Sequence, residues 1–164
     1  MEHPLPLMGH IAFGVIDRGT NLVQVRPTTL CPLSCIFCSV DAGPKSRSRA
    51  TEYMVRNPEY LALWFKAVAE IKSVPTQAHI DAVGDPLAYP KIVELVRVLK
   101  KAGASVVSLE THGPLLSEKL ADALDDAGLD RINVSIDSLD PDLARRLAGT
   151  NWFDVKKVLR VVEY

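Results

Sequence analysis

The stretch that decides the fold is Leu22-Val23-Gln24-Val25-Arg26-Pro27-Thr28-Thr29-Leu30-Cys31-Pro32-Leu33-Ser34-Cys35-Ile36-Phe37-Cys38. Its first five residues read as a strand, and a loop carrying all three cysteines of the chain follows directly. The spacing is C-x3-C-x2-C, with an aromatic just before the last cysteine. Three thiolates on one short loop hold three irons of a cubane [4Fe–4S] cluster and leave the fourth iron without a protein ligand, open to a small molecule. Structural zinc wants four ligands, commonly in two pairs, and no second Cys or His pair lies at finger spacing; zinc completed by a histidine stays open. A Cys35-x-x-Cys38 redox pair leaves Cys31 unexplained. A disulfide framework fits poorly with an odd number of crowded cysteines.

Around this loop the composition is that of an ordinary globular chain. With 164 residues, 48% apolar and 24% charged, it suits one domain, residues 1–164, with a real core. A formal net charge of −1 gives no electrostatic footprint for nucleic acid or an anionic membrane. Residues 1–7 lack the basic and then apolar run of a secretory leader, and no apolar run reaches membrane-spanning length. Thiolate ligation of an oxygen-sensitive cluster needs a reducing interior, so the expected location is the cytoplasm.

Outward from the cysteines, the pattern is β-hairpin first and β/α repeats afterwards. Residues 11–16 and 22–25 are β-rich runs around the turn signal Asp17-Arg18-Gly19-Thr20-Asn21, which predicts a hairpin over about 10–27. Residues 41–49 form a polar, basic loop, either simply solvated or contacting an anion or substrate. Helices are expected over 58–72 with Tyr60, Trp64, Ala67, Val68 and Ile71 on one face, and over 90–102 with Ile92, Leu95, Val96 and Leu99 aligned. Two more are expected, over 115–127 and over 151–164, the last with Val155, Val158, Leu159 and Val162 on one face. Strands are expected over 78–83, 104–109 and 131–136, and Asp140-Pro141 is an N-cap followed by proline at the first helical position.

Repeated β/α units with short connectors predict an α/β fold with a parallel sheet and right-handed crossovers. Ligands in such folds bind beyond the carboxyl ends of the strands. There lie the cysteines, Gly84-Asp85-Pro86, Glu110-Thr111-His112-Gly113 and Ser135-Ile136-Asp137. About four β/α units, spanning residues 22–164, fit in the chain, which stops without a glycine or proline signal.

On these residues the chain resembles the radical S-adenosylmethionine (SAM) enzymes. The segment Cys38-Ser39-Val40-Asp41-Ala42-Gly43-Pro44 is similar to that of poorly characterised archaeal-type Fe–S oxidoreductases. The resemblance implies a partial TIM-like barrel with the cluster loop after its first strand. Cys31, Cys35 and Cys38 would be the cluster ligands. Val83-Gly84-Asp85-Pro86 matches the family's Gly-Gly-Glu-Pro-like motif, with Val for the first Gly and Asp for Glu, so Gly84, Asp85 and Pro86 would hold the methionyl amine of SAM. Thr111 stands where members have Thr-Asn-Gly and would bond the SAM carboxylate or ribose, with His112 replacing the amide as a structural group or proton carrier. Ser135 would be a ribose or carboxylate contact, with Asp137 a further candidate, and Phe37 would lie close to the adenine.

The resemblance further implies reductive cleavage of SAM to a 5′-deoxyadenosyl radical, an unknown substrate, and an electron donor such as ferredoxin or flavodoxin. Members have fifth and sixth strands and often a C-terminal domain. The expectation is therefore an N-terminal part of a longer enzyme, or a short form whose barrel is completed by self-association or a partner chain. The alternative is a cluster-binding or electron-transfer module that does not cleave SAM.

Overall fold

The computed structural model describes residues 8, 11–48 and 52–164. The leader reading of residues 1–7 and the ends of the hairpin and basic loop at His10 and Arg49 lie outside these residues. Strands β1 (Gly14–Asp17), β2 (Leu22–Arg26), β3 (Gln77–Ile80), β4 (Val107–Thr111) and β5 (Arg131–Val134) form one open sheet in the order β1-β2-β3-β4-β5. β1 and β2 are the expected antiparallel hairpin, and β2 to β5 run parallel. Helix α1 (Pro58–Lys72) follows β2, α2 (Ile92–Lys101) follows β3, α3 (Glu118–Asp126) follows β4, and α4 (Pro141–Leu147) and α5 (Val155–Glu163) follow β5. The four expected β/α units are present, in an open sheet and not a closed barrel. Among the described residues no helix is long and apolar enough to cross a membrane.

The register separates the two sheet faces. Val23 pairs with Ala78 and Ala78 with Val107, while Val25 pairs with Ile80 and Ile80 with Leu109. All six side chains are fully buried, in one core with Leu61, Phe65, Leu95 and Leu99 of α1 and α2. Gln24, His79 and Ser108 are in register on the other face, with Arg26, Asp81 and Glu110 beyond them toward the carboxyl ends. Among the described residues α1 and α2 pack on the first face, and the second carries a polar residue at every second position of β2 to β4.

Several expected element bounds shift. β3 ends at Ile80, just before Asp81, which pairs with Arg26, and β5 ends at Val134. α3 starts at Glu118, where Ser117 supplies the N-cap to Leu120 N, and α5 starts at Val155, capped by Asp154. The core face of α1 is Pro58, Leu61, Ala62, Phe65 and Val68; of the predicted face Val68 is buried and Trp64 packs against the core, whereas Ile71 is 84% exposed. Leu61 and Phe65 compete for the same apolar surface, and α1 rotates to bury them. On α5, Val155 and Val158 are buried as expected, whereas Val162 is exposed and Val161 packs inward. The aligned residues of α2 are all buried.

Candidate active site

The four rim loops converge. Cys31, Cys35, Phe37, Cys38, Ser39, Val40 and Ala42 line one wall of an open cleft of about 370 Å³, and Arg26, Ala82, Val83, Gly84, Glu110 and His112 line the other. A smaller cleft adjoins it and shares Ala82, Gly84, Glu110 and His112; it adds Asp81, Asp85, Pro86, Thr111 and Ser135. Every predicted site residue except Asp137 therefore lies on one continuous surface. Asp137 stands beside it, with Oδ2 3.9 Å from His112 Nδ1, and its charge raises the Cys35 thiol.

The cysteine loop is fixed from both ends. Before it, Asp85 N–H donates to the Leu30 carbonyl at 2.9 Å. A Cβ on Gly84 would stand 2.1 Å from that same carbonyl oxygen, so only glycine lets the two loops meet. Within the loop, the N–H groups of Ser34 and Ile36 donate to the carbonyls of Ala148 and Leu147, at 3.0 Å each. The carboxyl end of α4 thus holds the loop, although it lies over 100 residues away in sequence. Gly149 is the contact point: its φ is +65°, and a Cβ there would stand 1.8 Å from the Ser34 carbonyl oxygen.

The thiols suit iron better than solvent. Burial pushes the Cys31 thiol up to about 12, with Asp85 and the other two cysteines adding to the rise. Burial also raises Cys35, assisted by Asp137 and Cys38. Thiolates disfavoured on their own are stabilised when iron supplies the missing positive charge. Cys38 Sγ already accepts an N–H from Ala42 at 3.3 Å. Among the described residues no three Cys, His, Asp or Glu side chains converge as a single-ion site would require. Three thiols lining one cleft are a ligand set that suits a multi-iron cluster, in which each sulfur meets a different iron.

Asp85 is buried, and its carboxylate accepts from Leu87 N (3.0 Å), His112 N (3.1 Å) and Thr111 Oγ1 (2.8 Å to each oxygen). Burial raises its carboxyl, with these bonds working in the lowering direction. Thr111 spends its one hydroxyl proton on Asp85 and accepts from Gly113 N at 2.9 Å. It has no proton left for a ligand carboxylate, only a lone pair for a hydroxyl. The Ser135 hydroxyl has no partner among the described residues and is free to donate. His112 Nδ1 lies 3.1 Å from the Ser135 carbonyl, which only accepts, so Nδ1 carries a proton.

Sequence reasoning missed Arg26 and Asp81, and gave Glu110 no role beyond its place in a rim loop. Arg26 is clamped by Asp81 through Nε at 2.9 Å and Nη2 at 2.8 Å, and Gln24 Nε2 also donates to Asp81 at 2.9 Å. Glu110 faces His79 Nε2 at 3.4 Å, while His79 Nδ1 meets Ser108 Oγ at 2.8 Å. The available signal was the polar residue at every second position of β2 to β4.

A radical SAM superfamily model matches residues 25–164. The whole chain aligns at 44% identity with 39% of an uncharacterised protein of Methanocaldococcus jannaschii. A probable GTP 3′,8-cyclase of Sulfurisphaera tokodaii is 34% identical over 85% of the chain and 42% of its own length. The chain thus spans about two fifths of the curated relatives it matches. The structure of anSMEcpe with bound AdoMet superimposes with a TM-score of 0.64 at 22% identity, over 87% of this chain and 39% of that one. BtrN in complex with AdoMet and 2-DOIA superimposes at 0.57 and 19% identity, over 72% of this chain and 46% of that one. The chain belongs to the radical SAM superfamily, whose cofactors are a [4Fe–4S] cluster and SAM.

Proposed function

We propose that this radical SAM protein carries a [4Fe–4S] cluster on Cys31, Cys35 and Cys38 and holds SAM in the cleft between that loop and the carboxyl ends of β3 to β5. The observation that carries the reading is the cleft itself, where three thiols face Gly84, Glu110 and His112 across open space. Reductive cleavage of bound SAM supplies a 5′-deoxyadenosyl radical that takes a hydrogen from substrate.

The chain's own residues bind and orient. Gly84, Asp85 and Pro86 form the turn that receives the amine; Asp85 gives it negative charge while tying β3 to β4 through Thr111. Ser135, with its proton free, is the donor for the SAM carboxylate, and Thr111 retains a lone pair for a ribose hydroxyl. Phe37, 51% exposed in the cleft wall, offers a ring face to the adenine. His112 lines the cleft between Ser135 and Asp137, with Nδ1 3.1 Å from the Ser135 carbonyl and 3.9 Å from Asp137 Oδ2, and holds that corner of the site. The outer edge of β5, whose Arg131, Ile132 and Asn133 are exposed, is where further strands of the same polypeptide or of a partner chain complete the barrel. A one-electron donor, an unidentified substrate and a cytoplasmic location complete the reading.

The test is chromatographic. Anaerobically reconstituted protein, given dithionite and SAM, should form 5′-deoxyadenosine and methionine in equal amounts. A protein with full iron and sulfide content that leaves SAM intact would reduce the reading to a cluster-binding module.

A further inference from the structure

The cysteine loop is reached from two sides. On the sheet side lies the cleft already described. On the outer side Ser34, Cys35, Ile36, Cys38, Asp41, Ala42, Lys45 and Arg47 line a second depression of about 470 Å³. Cys35 and Cys38 belong to both surfaces, Phe37 only to the inner and Ile36 only to the outer. Two adjacent residues thus point opposite ways from the thiols. Ile36 is 72% exposed, an apolar side chain held in water beside two ligand cysteines.

The rim of this depression is cationic. Lys45 Nζ donates to the Gly149 carbonyl at 2.5 Å, which anchors the ammonium without neutralising it. The Arg47 guanidinium has no ion-pair partner among the described residues. Among the described residues Asp41 is the only carboxylate in the lining, and its Oδ2 accepts from Arg47 N (2.9 Å), Ser48 N (2.7 Å), Ser48 Oγ (2.7 Å) and Ser46 Oγ (3.2 Å). Its work is to fold the loop that presents the two cations.

We propose that this outer face is the docking surface for a small acidic one-electron carrier protein, with Ile36 as its apolar contact and Lys45 and Arg47 as its steering charges. The inference rests on the cluster assignment above. Cys35 and Cys38 line the outer depression as well as the inner cleft, so the outer face is a second approach to them, separate from the side that takes SAM and substrate. An exposed apolar residue beside two cations that have no ion-pair partner among the described residues matches the negative rim and apolar centre of an acidic partner. One electron leaves the carrier, which is oxidised by one unit, and enters the cluster, which passes from the 2+ to the 1+ state; no atom or proton moves.

The experiment compares two double variants of equal charge change in the full chain with reconstituted cluster. K45E/R47E alters the proposed surface; R97E/K101E alters exposed cations of α2, on the helix-covered side of the sheet. Binding of oxidised flavodoxin is measured by calorimetry at low and high salt, and cluster reduction by stopped flow with reduced flavodoxin and with dithionite. K45E/R47E should weaken flavodoxin binding and slow its electron delivery by roughly tenfold at low salt, with the difference shrinking as salt rises. Dithionite reduction should not change, and R97E/K101E should behave as the parent. Equal losses in both double variants, or none in K45E/R47E, would overturn the proposal. Because Lys45 also anchors Gly149, R47E and I36D are run separately with iron and sulfide determined in each sample. Normal cluster content with unchanged flavodoxin kinetics in both would likewise overturn it, whereas missing iron would instead indict the cluster assignment.

Discussion

The two faces of one sheet divide the work of this molecule. On the helix-covered face Val23, Val25, Ala78, Ile80, Val107 and Leu109 are wholly buried beneath α1 and α2. One residue along each strand, Gln24, His79 and Ser108 cross the sheet in register on the opposite face, with Arg26, Asp81 and Glu110 at its carboxyl end. Both faces are built from the same four-residue and five-residue strands, so the difference lies in side-chain alternation alone. Stability is concentrated on the first face and chemistry on the second. The cysteine loop sits at the rim where they meet.

The largest effect should come from the rim. Cys35→Ala removes a thiol that has no substitute, so iron content after reconstitution should fall to near zero while circular dichroism stays that of the parent. Retained stoichiometric iron would break the assignment. On the covered face, Phe65→Ala should cost about 3–5 kcal/mol in denaturant unfolding, as large-to-small changes at fully buried aromatics do. Gly149→Ala forces a Cβ against the Ser34 carbonyl at a positive φ, and should cost about 1–3 kcal/mol. Its sharper readout is weakened cluster retention, since the strain falls on the loop and not on the core. A variant as stable as the parent would show that α4 does not hold the loop.

Two smaller effects test the polar side. The Asp41 carboxyl is held at about 2, below its ordinary 3.8, chiefly by the Ser48 hydroxyl and the Ser48 and Arg47 backbone N–H groups. Its folded value is depressed, so the loop's stabilisation is complete above pH 3.8 and lost as the pH falls through about 2. Amide shifts of Arg47 and Ser48 in an NMR titration should move together with a midpoint near 2, and a midpoint near 3.8 would contradict the geometry. Glu110→Gln should change unfolding free energy by no more than about 0.5 kcal/mol, because that carboxylate is half exposed with a single partner. A much larger loss would mean that the polar face bears stability after all.

Local signals read well and distant pairings did not. The hairpin around Gly19, the aligned apolar residues of α2 and the Asp140-Pro141 helix start are each written within a few residues, and each appears in the fold. The rim loops were legible because every parallel strand delivers its following loop to the same edge. The contacts that assemble the site were not. Arg26 finds Asp81 at a separation of 55 residues, Thr111 finds Asp85 at 26, and Lys45 finds Gly149 at 104. Nothing near Thr111 says that its proton is spent on Asp85, which changes what it can offer a ligand. The α1 face was misread for a related reason. Tyr60, Trp64 and Ile71 and the pair Leu61 and Phe65 both satisfy a helical period, and only the surface of the sheet selects between them.

The central claim is that the cysteine loop carries a cluster with an iron left open to SAM. Its most direct measurement is EPR of the anaerobically reconstituted, dithionite-reduced protein before and after SAM is added. The account predicts a [4Fe–4S]+ signal whose g-values shift with SAM. A signal unchanged by saturating SAM would contradict it.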